Sequence, residues 1–85
     1  MQYAYANKTA SALIKTGQGV LKGIFVASAS STPTIKLWDN TSAATTVLVN
    51  TFTPVASTYY EIPATFKTGL YITISGTVDC TLFYK

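Results

Sequence analysis

Apolar and polar residues alternate at period two through run after run of this chain, and no segment of useful length carries a helical period, which confines it to β structure. The alternation is cleanest in Leu70-Tyr71-Ile72-Thr73-Ile74-Ser75, where Leu70, Ile72 and Ile74 point one way. Gly, Pro, Asn or Asp punctuates the runs every eight to twelve residues or so, the spacing of short antiparallel strands. An all-β fold follows, a single antiparallel β-sandwich or jelly-roll-like barrel of about seven or eight short strands.

The stretch Gly17 to Asn40 carries most of what is distinctive. Strict alternation puts Val20, Lys22, Ile24, Val26 and Ser28 on one face, and Leu21, Gly23, Phe25, Ala27 and Ala29 on the other. Both faces are largely apolar, as in a central strand covered on both sides. Gly23 interrupts the run and reads as a simple bend, with a bulge or a close backbone approach as the alternatives. Ser30 to Pro33 predicts a turn, because Pro33 has no N–H and Thr32 before it is biased to extended geometry. Ile35 and Leu37 alternate with Thr34, Lys36 and Trp38 before Asp39-Asn40-Thr41-Ser42 supplies turn-forming side chains.

Residues 1–12 read either as an N-terminal arm suited to extend across a neighbour or as the first strand of the same sheet, with residues 13–85 forming the β domain. Gly17-Gln18-Gly19 is a tight turn; no helix follows it to make a phosphate site. Strands follow over Thr46 to Thr53, closed by Pro54, and over Ser57 to Ile62, ended by Pro63. Phe66 in the next connection is assigned to the core. The strand from Gly69 and the strand Thr77 to Tyr84, joined at Ser75-Gly76, read as a hairpin in which Val78, Cys80, Leu82 and Tyr84 oppose Asp79, Thr81 and Phe83.

Composition excludes more than it assigns. With no histidine, one cysteine at a core-parity position, and Asp39, Glu61 and Asp79 as the only acids, nucleophile–base pairs cannot be assembled. Neither an enzyme nor a cofactor or metal site is expected. All positive charge comes from six lysines, Lys8, Lys15, Lys22, Lys36, Lys67 and Lys85, spread along the chain and without the arginine forks of nucleic-acid readers. They read as solubilising charges and contacts for an acidic protein surface; no nucleic-acid or membrane partner is expected. At 85 residues, 48% apolar and only 11% charged, the chain has more apolar surface than a small monomer easily hides, so oligomerisation is expected.

Tyr3, Tyr5, Trp38, Tyr59, Tyr71 and Phe83 fall on the parity opposite the best core positions, where ordinary strands carry Thr or Lys. Together with Lys22 and Phe25 they form the candidate set for contact with a protein partner or a second copy of the chain, since exposed aromatics bury much area with few rotamers to freeze. Glycan stacking on Trp38 and the tyrosines is the competing use. Cover by loops of the same chain would leave no site at all.

Three segments carry a resemblance: Ile14-Lys15-Thr16-Gly17-Gln18-Gly19-Val20-Leu21-Lys22-Gly23-Ile24, Leu37-Trp38-Asp39-Asn40-Thr41-Ser42-Ala43, and Phe66-Lys67-Thr68-Gly69-Leu70. They resemble K-T-G-x-G-V-L, L-x-D-x-T-S-A and F-x-T-G-L segments of small β-rich proteins encoded among the structural genes of tailed bacteriophages. The resemblance spans most of the chain after residue 13 and lies in structural turns. It implies a virion component made in the host cytoplasm, a capsid decoration or cement protein on the outer surface of the head shell, partnered by the major capsid protein and by itself as a homotrimer. A tail, neck or fibre component is the alternative it leaves.

Overall fold

The computed structural model describes residues 3–85, and for Ser31 the backbone alone. It is all-β: β1 (Ala4–Lys8), β2 (Ala12–Thr16), β3 (Gly19–Trp38), β4 (Val47–Phe52), β5 (Thr58–Phe66) and β6 (Gly69–Tyr84). All pairings are antiparallel, in one curled sheet.

Two long strands organise it. β3, 20 residues, pairs with β6, 16 residues, along nearly their whole lengths. β1 and β2 line the free side of β6, and β5 and β4 line the free side of β3. One half of the sheet therefore runs β1, end of β6, start of β3, β5. The other runs β2, start of β6, end of β3, β4. The stretch expected as an arm contains β1, whose Ala4 to Lys8 pair with Tyr84 to Cys80; Met1 and Gln2 lie outside the described residues.

The expected turn at Ser30 to Pro33 and the expected hairpin at Ser75-Gly76 are instead a shared corner. Both strands bend at the same height, so pairing resumes at once on either side, Ser30 with Thr77 and Thr34 with Ser75. Thr32 takes φ 47° and Gly76 φ 87°, and a Cβ on Gly76 would lie 2.8 Å from the Cα of buried Pro33. The seven or eight short strands expected are thus present within six elements, because β3 and β6 each bend into two arms. Pro63 likewise falls inside β5, exposed, beside a register irregularity where no ladder N–H is required.

The bend lets the two inner faces close on one core. Leu21, Ile24, Val26, Ile35 and Leu37 of β3 meet Leu70, Ile72, Val78, Cys80 and Leu82 of β6, with Phe66 beside them, all at most 2% exposed. Leu21 and Ile24 share this core although strict alternation puts them on opposite faces. The register slips between Leu21 and Gly23 on both ladders: against β6, Lys22 is an extra residue, and against β5 the longer side is β5, so parity along β3 is reset there. Gly23 is therefore at a bulge, and at a close approach as well: a Cβ there would overlap Tyr59 Oη and sit 2.5 Å from the Tyr60 carbonyl oxygen.

Candidate functional site

The same bulge builds the outer face of the β1-β6-β3-β5 half. Tyr5 stands opposite Phe83, Phe83 opposite Gly23, and Phe25 between Thr81 and Tyr59. Tyr59 leans from its own register position onto the bare backbone of Gly23 and meets Phe83 edge-on, centroids 6.4 Å apart at 61°. Tyr3 lies at the margin, its ring 5.3 Å from Lys22 Nζ and 5.7 Å from Lys85 Nζ. Tyr5 is 74% exposed, and Tyr59, Phe25 and Tyr3 about two-fifths exposed at 42%, 39% and 38%, so these rings are presented to solvent rather than covered by loops of the chain. Six of the eight candidate residues, Tyr3, Tyr5, Lys22, Phe25, Tyr59 and Phe83, thus converge on one surface.

Trp38 and Tyr71 lie on the outer face of the other half. There the register aligns Leu13, Tyr71, Trp38 and Val47 across β2, β6, β3 and β4. Trp38 Nε1 donates to Thr73 Oγ1 at 2.6 Å, and Lys36 Nζ sits 4.4 Å from the ring centroid. The polar handle of the indole is thereby satisfied within the chain and one ring face is occupied by a cation. Leu13 and Val47, 41% and 42% exposed, belong to this apolar row and were not singled out by the sequence. A register shift between Leu13 and Lys15 turns Leu13 outward and lets Ile14 pack on the core, and a bulge of that kind leaves no mark in composition.

The turns at Gly17, Asp39 and Thr68 meet at one end of the molecule. The Asp39 carboxylate accepts hydrogen bonds from the N–H groups of Lys67 (3.0 Å), Thr68 (2.9 Å) and Gly69 (3.4 Å), while Gly17 N–H donates to the Thr68 carbonyl at 2.9 Å. Partial burial disfavours the charged form of Asp39, but the Thr68, Lys67 and Gly69 N–H groups and the Lys67 charge outweigh it and hold the carboxyl below its ordinary value. Asp39 is thus a clamp between the end of β3 and the β5–β6 turn. Beside it three lysines distant in sequence, Lys15, Lys67 and Lys85, line one open groove with Gln18, Gly19 and Phe66. Sequence spacing hides this grouping, which depends on the pairing of Thr16 with Gly69 and of Val20 with Lys85.

Asp79 and Cys80 are engaged or buried. Asp79 Oδ1 accepts from Asn7 Nδ2 at 2.7 Å. Cys80 is fully buried, and its thiol is pushed up to about 11 by burial and then by the Asp79 charge, so no thiolate nucleophile exists at neutral pH. Among the described residues no three His, Cys, Asp or Glu side chains gather as a metal-ligand group. Comparison with protein-family models, with curated proteins and with solved structures gives no match to this chain.

Proposed function

We propose that this chain is a non-enzymatic structural protein that docks on other proteins, and specifically a decoration protein that binds and stabilises the outside of a tailed-phage head shell as a homotrimer. The observation that carries the docking role is the outer face on which Tyr5, Phe25 and Tyr59 present exposed aromatic rings around half-buried Phe83, seated on a four-strand platform. Rings held by a sheet lose little freedom on contact, so each contributes to association without a large ordering cost. The head-shell role is supported by the resemblance of the three turn segments to phage structural proteins. In this reading the aromatic face contacts the major capsid protein, and the Leu13-Tyr71-Trp38-Val47 row closes the trimer. Many weakly held copies reinforce one another through multivalency.

Purified virions provide the test. Mass spectrometry should find this chain at an abundance close to that of the major coat protein, and Tyr5→Ala with Phe25→Ala should strip it from shells. A few copies per particle would assign it to a tail, neck or fibre instead, and absence from virions would overturn the virion reading. A glycan-binding role depends on a free indole face at Trp38, which Lys36 occupies on one side; glycan-array binding lost in Trp38→Ala would restore that reading.

A further inference from the structure

We propose that the groove beside the Asp39 clamp binds an acidic peptide segment, in which carboxylate side chains alternate with apolar ones, from a protein partner. This stands on the groove itself and does not depend on the phage reading. Three of the six lysines of the chain, Lys15, Lys67 and Lys85, line a groove of about 610 Å³, with Gln18 among them and no carboxylate side chain in the lining. That volume falls within the roughly 300–1,000 Å³ of ordinary ligand sites. The nearby Asp39 lies outside the lining: its carboxylate accepts from the N–H groups of Lys67, Thr68 and Gly69, and its charge offsets part of that of Lys67.

The lining also selects among anions. Half-buried Val20 gives it an apolar wall, with Phe66 buried beneath, and the main chain around it is taken up: Gly17 N–H by the Thr68 carbonyl, and Val20 N–H and C=O by Lys85. Recognition therefore falls to the lysine ammonium groups and the Gln18 amide. Ammonium groups act as point charges suited to separate carboxylates, whereas the bidentate fork that favours phosphodiesters is arginine's, and the chain has none. Phe66 is fully buried, so it offers no ring face on which a base can stack, which disfavours single-stranded nucleic acid. A partner segment with acidic and apolar side chains matches both the rim and the wall. Lys85 also reaches Tyr3, so such a segment would continue onto the aromatic face.

The probe is a short fluorescein-labelled peptide of alternating Glu and Leu, titrated with the full chain and followed by anisotropy. The glutamine version of the peptide and an oligothymidine serve as competitors of different chemistry. Replacing Lys15, Lys67 and Lys85 together by Gln should weaken binding about tenfold, as expected for the loss of three exposed ion pairs. Replacing Lys8, Lys22 and Lys36 by Gln removes the same charge elsewhere and should change it less than about twofold. In the unaltered protein, peptide-induced amide shifts should centre on Gln18, Gly19 and Thr65, a readout that does not rely on any variant folding. Equal loss in both triple variants, equal affinity for the glutamine peptide, preference for oligothymidine, shifts centred on Tyr5 and Phe25, or no binding at millimolar peptide would each overturn the proposal.

Discussion

Alanine at Gly23 tests the fold and the aromatic face together. An ordinary contact between carbon and a carbonyl oxygen is about 3.3 Å or longer, yet the new Cβ would start 2.5 Å from the Tyr60 oxygen and 2.6 Å from Tyr59 Cζ. Tyr59 can swing away, but the Tyr60 carbonyl is main chain in the adjoining strand, so β3 and β5 must separate by roughly 0.8 Å at the bulge. Overpacking of this kind costs about 1–3 kcal/mol, and displacing Tyr59 also gives up its edge contact with Phe83, about 0.5–1.5 kcal/mol. The two together come to about 3 kcal/mol, a large part of the ~4–13 kcal/mol that a domain of this size holds.

Thermal unfolding followed by circular dichroism reads this directly. At about 4–8 °C per kcal/mol the midpoint should fall by about 12–24 °C. Chain concentration must be held constant, because self-association would shift the midpoint by mass action. In a Tyr59→Ala background the ring clash is gone and the Tyr60 carbonyl remains, so Gly23→Ala should be milder there by about 1 kcal/mol. A midpoint lowered by less than about 4 °C would refute the close approach of the strands. An identical penalty in both backgrounds would show that Tyr59 does not rest on Gly23.

Asp39→Asn should cost about 1 kcal/mol at neutral pH, measured as a shifted urea midpoint, because charge-assisted acceptance from the β5–β6 turn is lost. With its folded-state pKa below the unfolded value, Asp39 contributes stability that is fully present above the unfolded pKa and lost as pH falls through the folded pKa; the variant's stability should therefore fall less steeply below about pH 4 than that of the unaltered chain, and parallel acid limbs would contradict the clamp. Gly17 and Gly76 share a left-handed backbone, φ 89° and 87°, but a Cβ meets nothing within 4 Å at Gly17 and Pro33 Cα at 2.8 Å at Gly76. In urea unfolding Gly17→Ala should cost about 1–2 kcal/mol from strain alone and Gly76→Ala about 1–3 kcal/mol more, whereas equal effects would argue against a packed corner. Cys80 should resist iodoacetamide at pH 8 in the folded chain and react readily in urea; mass spectrometry showing rapid native alkylation would contradict its burial.

How far the sequence was legible depended on whether a feature is local or shared between strands. Within one strand, period two suffices: Leu70, Ile72, Val78, Cys80 and Leu82 are core as the alternation requires, and Tyr5, Tyr59 and Phe83 face outward. The corner was read as turns because Ser30 to Pro33 and Ser75-Gly76 have turn chemistry, and a pattern of φ preferences does not say whether the chain will reverse or bend. What decides is the partner: two strands already paired can bend together and keep their ladder, and Gly76 leaves the space in which Pro33 sits.

Parity across a bulge is hidden for the same reason, and here it bears on the proposed docking role. Counted by strict alternation from Leu21, Phe25 is inward and Ile24 outward, a strand whose large aromatic ring lies in the core. The added residue at Lys22 reverses that assignment: Ile24 and Val26 become fully buried, and Phe25 emerges beside Tyr59. Gly23 then follows as a requirement, since Tyr59 needs the space a side chain there would fill. The aromatic face is thus a consequence of the bulge in β3, and the residues that define it, Lys22 and Gly23, are neighbours in sequence yet lie far along the chain from Phe83 and in a different strand from Tyr5. A substitution that removed the bulge would exchange inner and outer faces over this half of β3, so the fold and the proposed docking face depend on the same two positions.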